Sequence, residues 1–252
     1  MVLLRVAAAQ AVALPGDIER NVETAARLIG AAAADGAAVV VFPELFLCCY
    51  DLEAIARDPE RCDVAEDDPR LDPLREACRA GSVTAVVGAS IPAAGHRRIS
   101  ALVVGEEGEN VARADKVHVD RSELSLFEPG EPAAFETRGW RLAIGICRDG
   151  TFPEHARAAA LAGADAYLCP VSHERTSVVH PARAFENTMY VAVSNHVGPN
   201  ANGHSAVYGP EGETLADAGD AEEALAVADL DPGRLADLRE RRPMLAEARA
   251  LT

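Results

Sequence analysis

A cysteine at position 147 lies where an α/β fold would display a nucleophile. The apolar run from Leu142 to Ile146 predicts a buried strand, and Arg148-Asp149-Gly150 then predicts a turn into a helix. A side chain at such a strand end is exposed at the mouth of a sheet, beside the positive end of a helix, where a thiolate is favoured. The pattern therefore indicates an enzyme with a cysteine nucleophile.

Two further strand-like segments each carry a side chain that suits reactive chemistry. The run Val39-Val40-Val41-Phe42-Pro43-Glu44 ends in a carboxylate, and the segment from Asn110 to His118 carries Lys116. Taken singly, each of the three signals is weak, because glutamate and lysine are usually solvated and cysteine is usually a packing residue. Only their combination and order carry information.

In the order Glu, Lys, Cys, these segments resemble the nitrilase (carbon-nitrogen hydrolase) superfamily. The segments that carry the resemblance are Phe42-Pro43-Glu44-Leu45-Phe46 with Tyr50, Lys116-Val117-His118-Val119, Glu123 with Phe127, Pro129 and Gly130, Gly145-Ile146-Cys147-Arg148-Asp149 with Phe152-Pro153-Glu154, Arg183-Ala184-Phe185-Glu186-Asn187, and Asn195 with Gly198, Ser205, Pro210 and Gly212. They extend from about residue 3 to the C-terminal helix, and so many ordered blocks are not expected by chance. The resemblance implies a four-layer α-β-β-α sandwich of the α/β class.

The resemblance also implies a reaction and a role for each residue. Cys147 would attack a small linear amide and form a thioester, and the products would be a carboxylic acid and ammonia. Glu44 would take the thiol proton, give it to the departing ammonia and then activate water. Lys116 and the backbone N–H of Arg148 would stabilise the oxyanion, and Glu123 would hold Lys116 and the substrate amide. No cofactor and no metal are expected.

Three positions depart from the family pattern. A tyrosine that is common two residues before the lysine is Ala114, the residue after the cysteine is Arg148 where many members have an aromatic, and Glu123 follows Lys116 by seven positions instead of eight. Nitrile-cleaving relatives typically have Trp-Glu after the cysteine, so the Cys-x-Asp arrangement of this chain resembles the amidase branches.

Two residues near the nucleophile are candidates for substrate binding. Arg148 could grip a carboxylate at the far end of the substrate, helped by His173-Glu174-Arg175 on the next strand-end loop, or it could pair with Asp149 or a neighbouring glutamate. His173 is expected either to line the pocket or to have a structural role.

The polar residues around these positions are expected to support the site. Asp149 is expected to fix the turn after Cys147, and His118 to support the lysine loop. Arg183, Glu186 and Asn187 would form a polar scaffold beneath the site. The other five histidines lie in no sequence pattern that indicates a function.

Composition excludes several classes of function. The net charge of −16, from 24 basic and 40 acidic side chains, would repel nucleic acid, and the arginines from Arg239 to Arg242 are interpreted as the solvated face of a helix. No apolar run is long enough to span a bilayer. The N-terminus lacks a basic leader and the six cysteines show no C-x-x-C pair, so a cytoplasmic protein without a disulfide framework or zinc site is expected.

Alternating strand and helix patterns predict one layered domain over residues 1–252. The predicted strands are Leu3 to Ala9, Ala38 to Phe42, Val83 to Ala89, Ser100 to Gly105, Leu142 to Ile146, Ala166 to Cys169, Tyr190 to Ser194, Ala206 to Tyr208 and Leu225 to Asp229. The predicted helices are Asp17 to Ala34, Pro153 to Ala162, Pro181 to Asn187 and a C-terminal helix and tail from about residue 231. The Asp- and Pro-rich stretch from Arg57 to Asp72 is expected to be an exposed excursion.

The resemblance implies a homodimer or larger homo-oligomer, with the C-terminal helix near the interface. Four alternatives to this function stay open: a nitrile hydrolase, a hydrolase of N-carbamoyl amides, a glutamine amidase, and a catalytically silent scaffold of the same fold. Retention of all three reactive residues argues against the scaffold.

Overall fold

The computed structural model describes residues 2–93, 95–173, 178–198 and 201–250. Its strands, in chain order, are β1 (Leu4–Ala11), β2 (Val39–Val41), β3 (Thr84–Ala93), β4 (His96–Val104), β5 (Asn110–Asp115), β6 (Ala133–Thr137), β7 (Trp140–Ile144), β8 (Ala166–Val171), β9 (Tyr190–Asn195), β10 (Val197–Gly198), β11 (Ala201–Asn202), β12 (Ala206–Tyr208), β13 (Thr214–Asp217) and β14 (Glu223–Leu230).

Helices alternate with these strands along much of the chain. They are α1 (Ile18–Ala34), α2 (Leu52–Arg57), α3 (Pro59–Cys62), a 3-10 turn at Pro69–Leu71, α4 (Asp72–Gly81), α5 (Arg148–Thr151), α6 (Pro153–Leu161), α7 (Val179–Asn187), α8 (Pro232–Arg241) and α9 (Met244–Arg249). Asp17 caps α1 by accepting a hydrogen bond from the Arg20 backbone N–H at 3.3 Å, and Asp231 caps α8 through the Gly233 N–H at 2.8 Å.

The strands form two six-stranded sheets and one short pair. The first sheet has the order β14-β1-β2-β3-β4-β5 and the second β13-β12-β9-β8-β7-β6, while β10 pairs with β11. Strands β1, β2 and β3 are mutually parallel, and so are β7, β8 and β9. Because β4 is antiparallel to both of its neighbours, β5 runs in the same direction as β2.

The burial pattern of β1 shows how the layers are built. Leu4, Val6 and Ala8 pack into the core between the two sheets, together with inner-face residues of the second sheet such as Leu142 and Leu168. The alternate residues of β1 pack against α1 on the outer face. A third cluster lies between the outer face of the second sheet and helices α6 and α7. The result is the predicted four-layer α-β-β-α sandwich.

Trp140, the single tryptophan of the chain, lies at the start of β7. Its indole is fully buried in the core between the sheets and meets the Tyr190 ring edge-on at 6.0 Å. The indole N–H donates to the Val2 carbonyl at 2.7 Å, which satisfies the one polar group of the ring.

Two expectations from the sequence were wrong in part. The stretch from Arg57 to Asp72 contains helical turns and buries Cys62 and Leu71, so it packs on the body instead of extending into solvent. Arg239 does not point to solvent, because it binds Asp165 at 2.8 Å and the carbonyl of Thr188 at 3.2 Å, which fastens α8 to the second sheet. No helix within the described ranges is both long and apolar enough to cross a membrane.

Candidate active site

Four strand ends meet at one edge of the sandwich and bring the reactive residues together. Glu44 follows β2, Lys116 follows β5, Cys147 follows β7, and Ser172 and His173 follow β8. The Glu44 backbone N–H donates to the Val171 carbonyl at 3.4 Å, which joins the two sheets at this point. The parallel directions of these strands therefore explain why residues far apart in sequence lie in one place.

Lys116 lies between two carboxylates. Its Nζ donates to Glu44 Oε1 at 2.7 Å and to Glu123 Oε1 and Oε2 at 2.7 and 2.9 Å. Glu123 also accepts from the Tyr50 hydroxyl at 2.5 Å and from the Asp120 N–H at 2.6 Å. Both glutamates are fully buried, so the lysine is held in a fixed position despite the altered spacing between Lys116 and Glu123.

Burial and mutual attraction set the ionisation of this cluster. Burial raises the pKa of Glu44 to about 7, although the charge of Lys116 acts in the opposite direction. Burial alone would lower the pKa of Lys116, but the combined attraction of Glu44, Cys147 and Glu123 outweighs it and raises that pKa. The ammonium is therefore charged across the physiological range, whereas Glu44 can change its protonation near neutrality.

Cys147 occupies a strained turn. Its φ of +47° and ψ of −98° place a non-glycine residue in a sparsely populated region, which costs about 1–3 kcal/mol. The Cys147 N–H donates to the Pro170 carbonyl at 2.8 Å. The Arg148 N–H, which comes next, has no hydrogen-bond partner within the part of the chain that is described. Both residues of this turn line one cavity, and the Arg148 N–H is available there because no described residue accepts its hydrogen bond.

The ionisation of Cys147 differs from the expectation that a thiolate is favoured there. Withdrawal of the sulfur from water, and then the charge of Glu44, raise the pKa of the thiol more than Lys116 and the Ser172 N–H lower it. The following helix, α5, is a single turn, so its dipole offers little support. At neutral pH the group is a thiol beside a carboxylate that can accept its proton.

Asp149 ties the cysteine turn to the lysine loop, as expected. Its buried carboxylate accepts from the N–H groups of Ile146 at 3.0 Å, Val117 at 3.3 Å and His118 at 2.7 Å. The His118 ring lies 2.9 Å from the same carboxylate and stacks on Phe152 at 4.0 Å. These contacts fix the position of the Cys147 turn relative to the Lys116 loop.

Arg183 supports the turn from below, which agrees with the predicted polar scaffold. Its guanidinium donates to the carbonyls of Gly150 and Thr151, both at 2.9 Å, and binds Glu186 at 2.8 Å. Asn187 donates to the Arg183 carbonyl at 2.9 Å. The end of α5 is therefore fixed by a helix of the neighbouring layer.

Gly88 on β3 makes room for the loop that carries Glu44. A Cβ atom at this position would lie 2.2 Å from the Pro43 carbonyl oxygen and 2.4 Å from the Leu45 nitrogen. No side chain fits there without displacing the loop, so the glycine is required by close approach and not by its φ angle.

A cavity of about 330 Å³ opens above Cys147. It is lined by Tyr50, Lys116, Asp120, Ser122, Glu123, Cys147, Arg148, Thr151, Ser172, His173, Val179 and His180. Arg148 does not reach out as a free cation, because its Nη1 binds Asp120 at 2.5 Å. Of the alternatives for Arg148, pairing with a carboxylate is the one observed, with Asp120 as the partner. Glu174 and Arg175 lie outside the described residues.

The sequence interpretation missed several residues of this cavity. His180 was among the histidines without a signal, although it precedes Arg183 by three positions and therefore shares the inward face of α7. The roles of Ser172, Asp120 and the Tyr50 hydroxyl depend on how loops meet in space. In the described ranges no group of three or more His, Cys, Asp or Glu residues is arranged to hold a metal ion.

Comparison with known proteins agrees with this geometry. The chain is 31% identical to a nitrilase of Pyrococcus abyssi, with 84% of each sequence covered, and 29% identical to an omega-amidase of Homo sapiens, with 91% of this chain and 90% of the relative covered. It superimposes on an amidase from Nesterenkonia sp. AN1 with a TM-score of 0.82 at 31% identity, covering 97% of this chain and 99% of the other. In that structure the active-site cysteine carries a Michael adduct of acrylamide. The sequence pattern of the carbon-nitrogen hydrolase family matches residues 5–240, and the chain belongs to this family.

Proposed function

We propose that this protein hydrolyses small linear amides to a carboxylic acid and ammonia, with Glu44, Lys116 and Cys147 as its catalytic residues. The observation that carries the proposal is the buried bridge from Glu44 through Lys116 to Glu123, formed beside the cysteine in a cavity of small-molecule size. The reactive cysteine of the related Nesterenkonia amidase gives it further support.

In the first half of the reaction, the Cys147 sulfur attacks the carbonyl carbon while Glu44 takes the thiol proton. The negative charge that develops on the carbonyl oxygen is stabilised by the Lys116 ammonium and the free N–H of Arg148, and each such donor contributes about 2.7–4 kcal/mol. The carbon-nitrogen bond then breaks, and Glu44 returns its proton to the departing ammonia. A thioester on Cys147 remains.

In the second half, Glu44 removes a proton from water as the water attacks the thioester carbon. The carbon-sulfur bond breaks, the thiol regains a proton and the carboxylic acid leaves. A Glu44 pKa of about 7 suits both directions of proton transfer. Glu123 and Tyr50 keep Lys116 in place throughout.

The test compares amides with nitriles. We expect ammonia release from short aliphatic amides and at least tenfold lower kcat/KM for the matching nitriles, a difference of about 1.4 kcal/mol in barrier. An amide must expel ammonia from a tetrahedral intermediate whereas a nitrile must be protonated, so the acid/base arrangement decides between them. Equal or faster nitrile turnover would replace the amidase assignment with a nitrilase.

Cys147→Ala provides the matched control. It should abolish turnover and leave the circular dichroism spectrum unchanged, while Cys78→Ala, a buried cysteine of α4 far from the site in sequence, should retain activity. Turnover by the Cys147→Ala variant would rule out the thioester route. Chelating agents should have no effect on the rate.

We also propose that the chain works as a homodimer of a single catalytic domain in the cytoplasm. The resemblance to the family and the exposed C-terminal helices support this assembly. Sedimentation equilibrium at micromolar concentration would measure it, and a monomer throughout the range would contradict it.

A further inference from the structure

Two histidines form part of the cavity wall that the proposed reaction does not use. His173 follows β8 and His180 lies in the first turn of α7, and both line the cavity that contains Cys147. Their rings stack with centroids 6.0 Å apart and planes inclined by 13°. The pair is a distinct feature of the site with no part in the acid/base chemistry.

His173 is held through its backbone and His180 through the packing of its ring. The Asn195 side-chain amide accepts a hydrogen bond from the backbone N–H of His173 at 3.1 Å and donates one to the backbone carbonyl of His173 at 3.0 Å. His180 is only 3% exposed and packs over Gly150, where an added Cβ would come within 3.2 Å of its ring. The two residues therefore keep their places in the cavity wall.

Three of the four ring nitrogens lack partners among the described residues. Nδ1 and Nε2 of His173 and Nδ1 of His180 are buried, and none has a hydrogen-bond partner in the described ranges. A buried polar atom left unpaired costs about 1–3 kcal/mol, so a turn of either ring toward the cavity is favoured when a ligand there supplies the missing partners.

Both rings are neutral at physiological pH. Burial, followed by the nearby His173 and Arg183, lowers the pKa of His180 to about 3. Burial also lowers the pKa of His173. A neutral imidazole has one N–H donor and one bare nitrogen acceptor, so the pair offers both donors and acceptors but no charge.

The charged groups nearby are already occupied. Arg148 binds Asp120 at 2.5 Å, and Lys116 is shared between Glu44 and Glu123. Among the described lining residues, therefore, both cations already have a carboxylate partner, and a carboxylate on the substrate would compete with Asp120 for Arg148. A carboxylate can only accept hydrogen bonds and would leave the acceptor nitrogens of the pair unpaired.

We propose that His173 and His180 recognise the acyl end of the substrate and select small amides that carry a second, neutral hydrogen-bonding group, such as a carboxamide or a hydroxyl. This inference rests on the proposed amidase function and specifies its substrate class. It is an alternative to the hypothesis that Arg148 selects an anionic amide.

Three substrates of similar length test the preference. Succinamide carries a neutral carboxamide, succinamate a carboxylate and 4-methylpentanamide an apolar group of the same shape. We expect kcat/KM for succinamide to exceed the values for the other two by at least tenfold. A preference for succinamate or 4-methylpentanamide, or equal values for all three, would overturn the proposal.

Substitutions of His173 and His180 test whether their rings cause the preference for succinamide. In His173→Phe and His180→Phe, which keep an aromatic ring, the ratio of succinamide to 4-methylpentanamide should fall to about threefold or less, whatever the absolute rate. His96→Phe, at an exposed position on β4, is the matched control and should keep the wild-type ratio. An unchanged ratio in both cavity variants would contradict the assignment.

Binding separates this inference from the proposed function. Calorimetry with the Cys147→Ala variant measures affinity without turnover, and succinamide should bind at least tenfold more tightly than 4-methylpentanamide. If the wild-type protein hydrolyses no amide but this binding preference holds, the proposed reaction fails and the recognition role stands. If amides are hydrolysed without any such preference in rate or binding, the recognition role is wrong and the proposed reaction stands.

Discussion

The site is active only when Glu44 can accept the proton of the Cys147 thiol. The carboxylate has a pKa of about 7 because it is buried, and the thiol has a raised pKa because it is buried beside that carboxylate. The proton therefore resides on sulfur in the resting state and moves to Glu44 only as the sulfur attacks. Catalysis therefore does not require Cys147 to be ionised in the resting enzyme.

The first prediction at this scale concerns pH. Glu44 must be ionised to take the proton, so kcat/KM should rise with pH through an apparent pKa of about 7. The rate is thus lost as the pH falls below this value. A pH profile with propionamide measures it, and an acid limb near 4.5, the ordinary value for a glutamate, would show that burial does not control the base.

The second prediction uses Glu44→Gln. Removing the carboxylate removes a charge that raises the pKa of Cys147, so the midpoint of iodoacetamide labelling should move to lower pH while amide turnover falls by at least about 10²-fold. Mass spectrometry of the Cys147 peptide across a pH series gives the midpoint. A midpoint that stays in place or rises would mean that Glu44 does not set the ionisation of the thiol.

The sequence predicted Glu44, Lys116 and Cys147 from their combined order along the chain. Glu44 and Cys147 follow apolar runs that can be read locally, whereas Lys116 follows the more polar segment Asn110–Asp115. It could not predict that Arg148 binds Asp120, or that His180 meets His173. Those pairs are formed by loops and helices from separate parts of the chain, and no local pattern encodes their approach.

At the scale of elements, the close contact between β3 and the loop after β2 positions the general base. Gly88→Ala would force a methyl group against the Pro43 carbonyl, and we expect a loss of about 1–3 kcal/mol in the free energy of unfolding. Displacement of Glu44 should also reduce kcat/KM by at least tenfold. Thermal unfolding and amide turnover measure the two effects.

Gly30→Ala in α1 is the control for this substitution. Nothing lies within 4 Å of an added Cβ there, so the change should stabilise the protein by about 0.5–1 kcal/mol through helix propensity and leave activity unchanged. If both alanine variants behave alike, steric contact at Gly88 is not what holds the Glu44 loop.

The elements themselves were predicted where the pattern is strong. The nine predicted strands and the helix capped by Asp17 are present, with ends shifted by a few residues. Strands β6, β10, β11 and β13 and helices α2, α3 and α4 were missed. The strands are short, and α4 buries only two apolar residues, Leu74 and Cys78, which are too few to stand out as a helical period.

For the whole molecule, the two sheets depend on each other. The inner faces share one core, and the Ser194 hydroxyl donates to the Ala9 carbonyl across the two sheets. We expect the sheets to unfold together, so that loss of activity and loss of far-ultraviolet circular dichroism coincide in urea. A separate early loss of activity with most of the secondary structure intact would show that the sheets part first.

The buried indole of Trp140 gives the protein an internal optical probe. An indole in apolar surroundings emits at shorter wavelengths than one in water, and a chain with one tryptophan has no second emitter to obscure the signal. Because the same ring donates to the Val2 carbonyl, its emission responds both to separation of the sheets and to release of the N-terminal residues. The unmodified chain can therefore be followed by fluorescence in refolding mixtures and crude fractions, without any attached label.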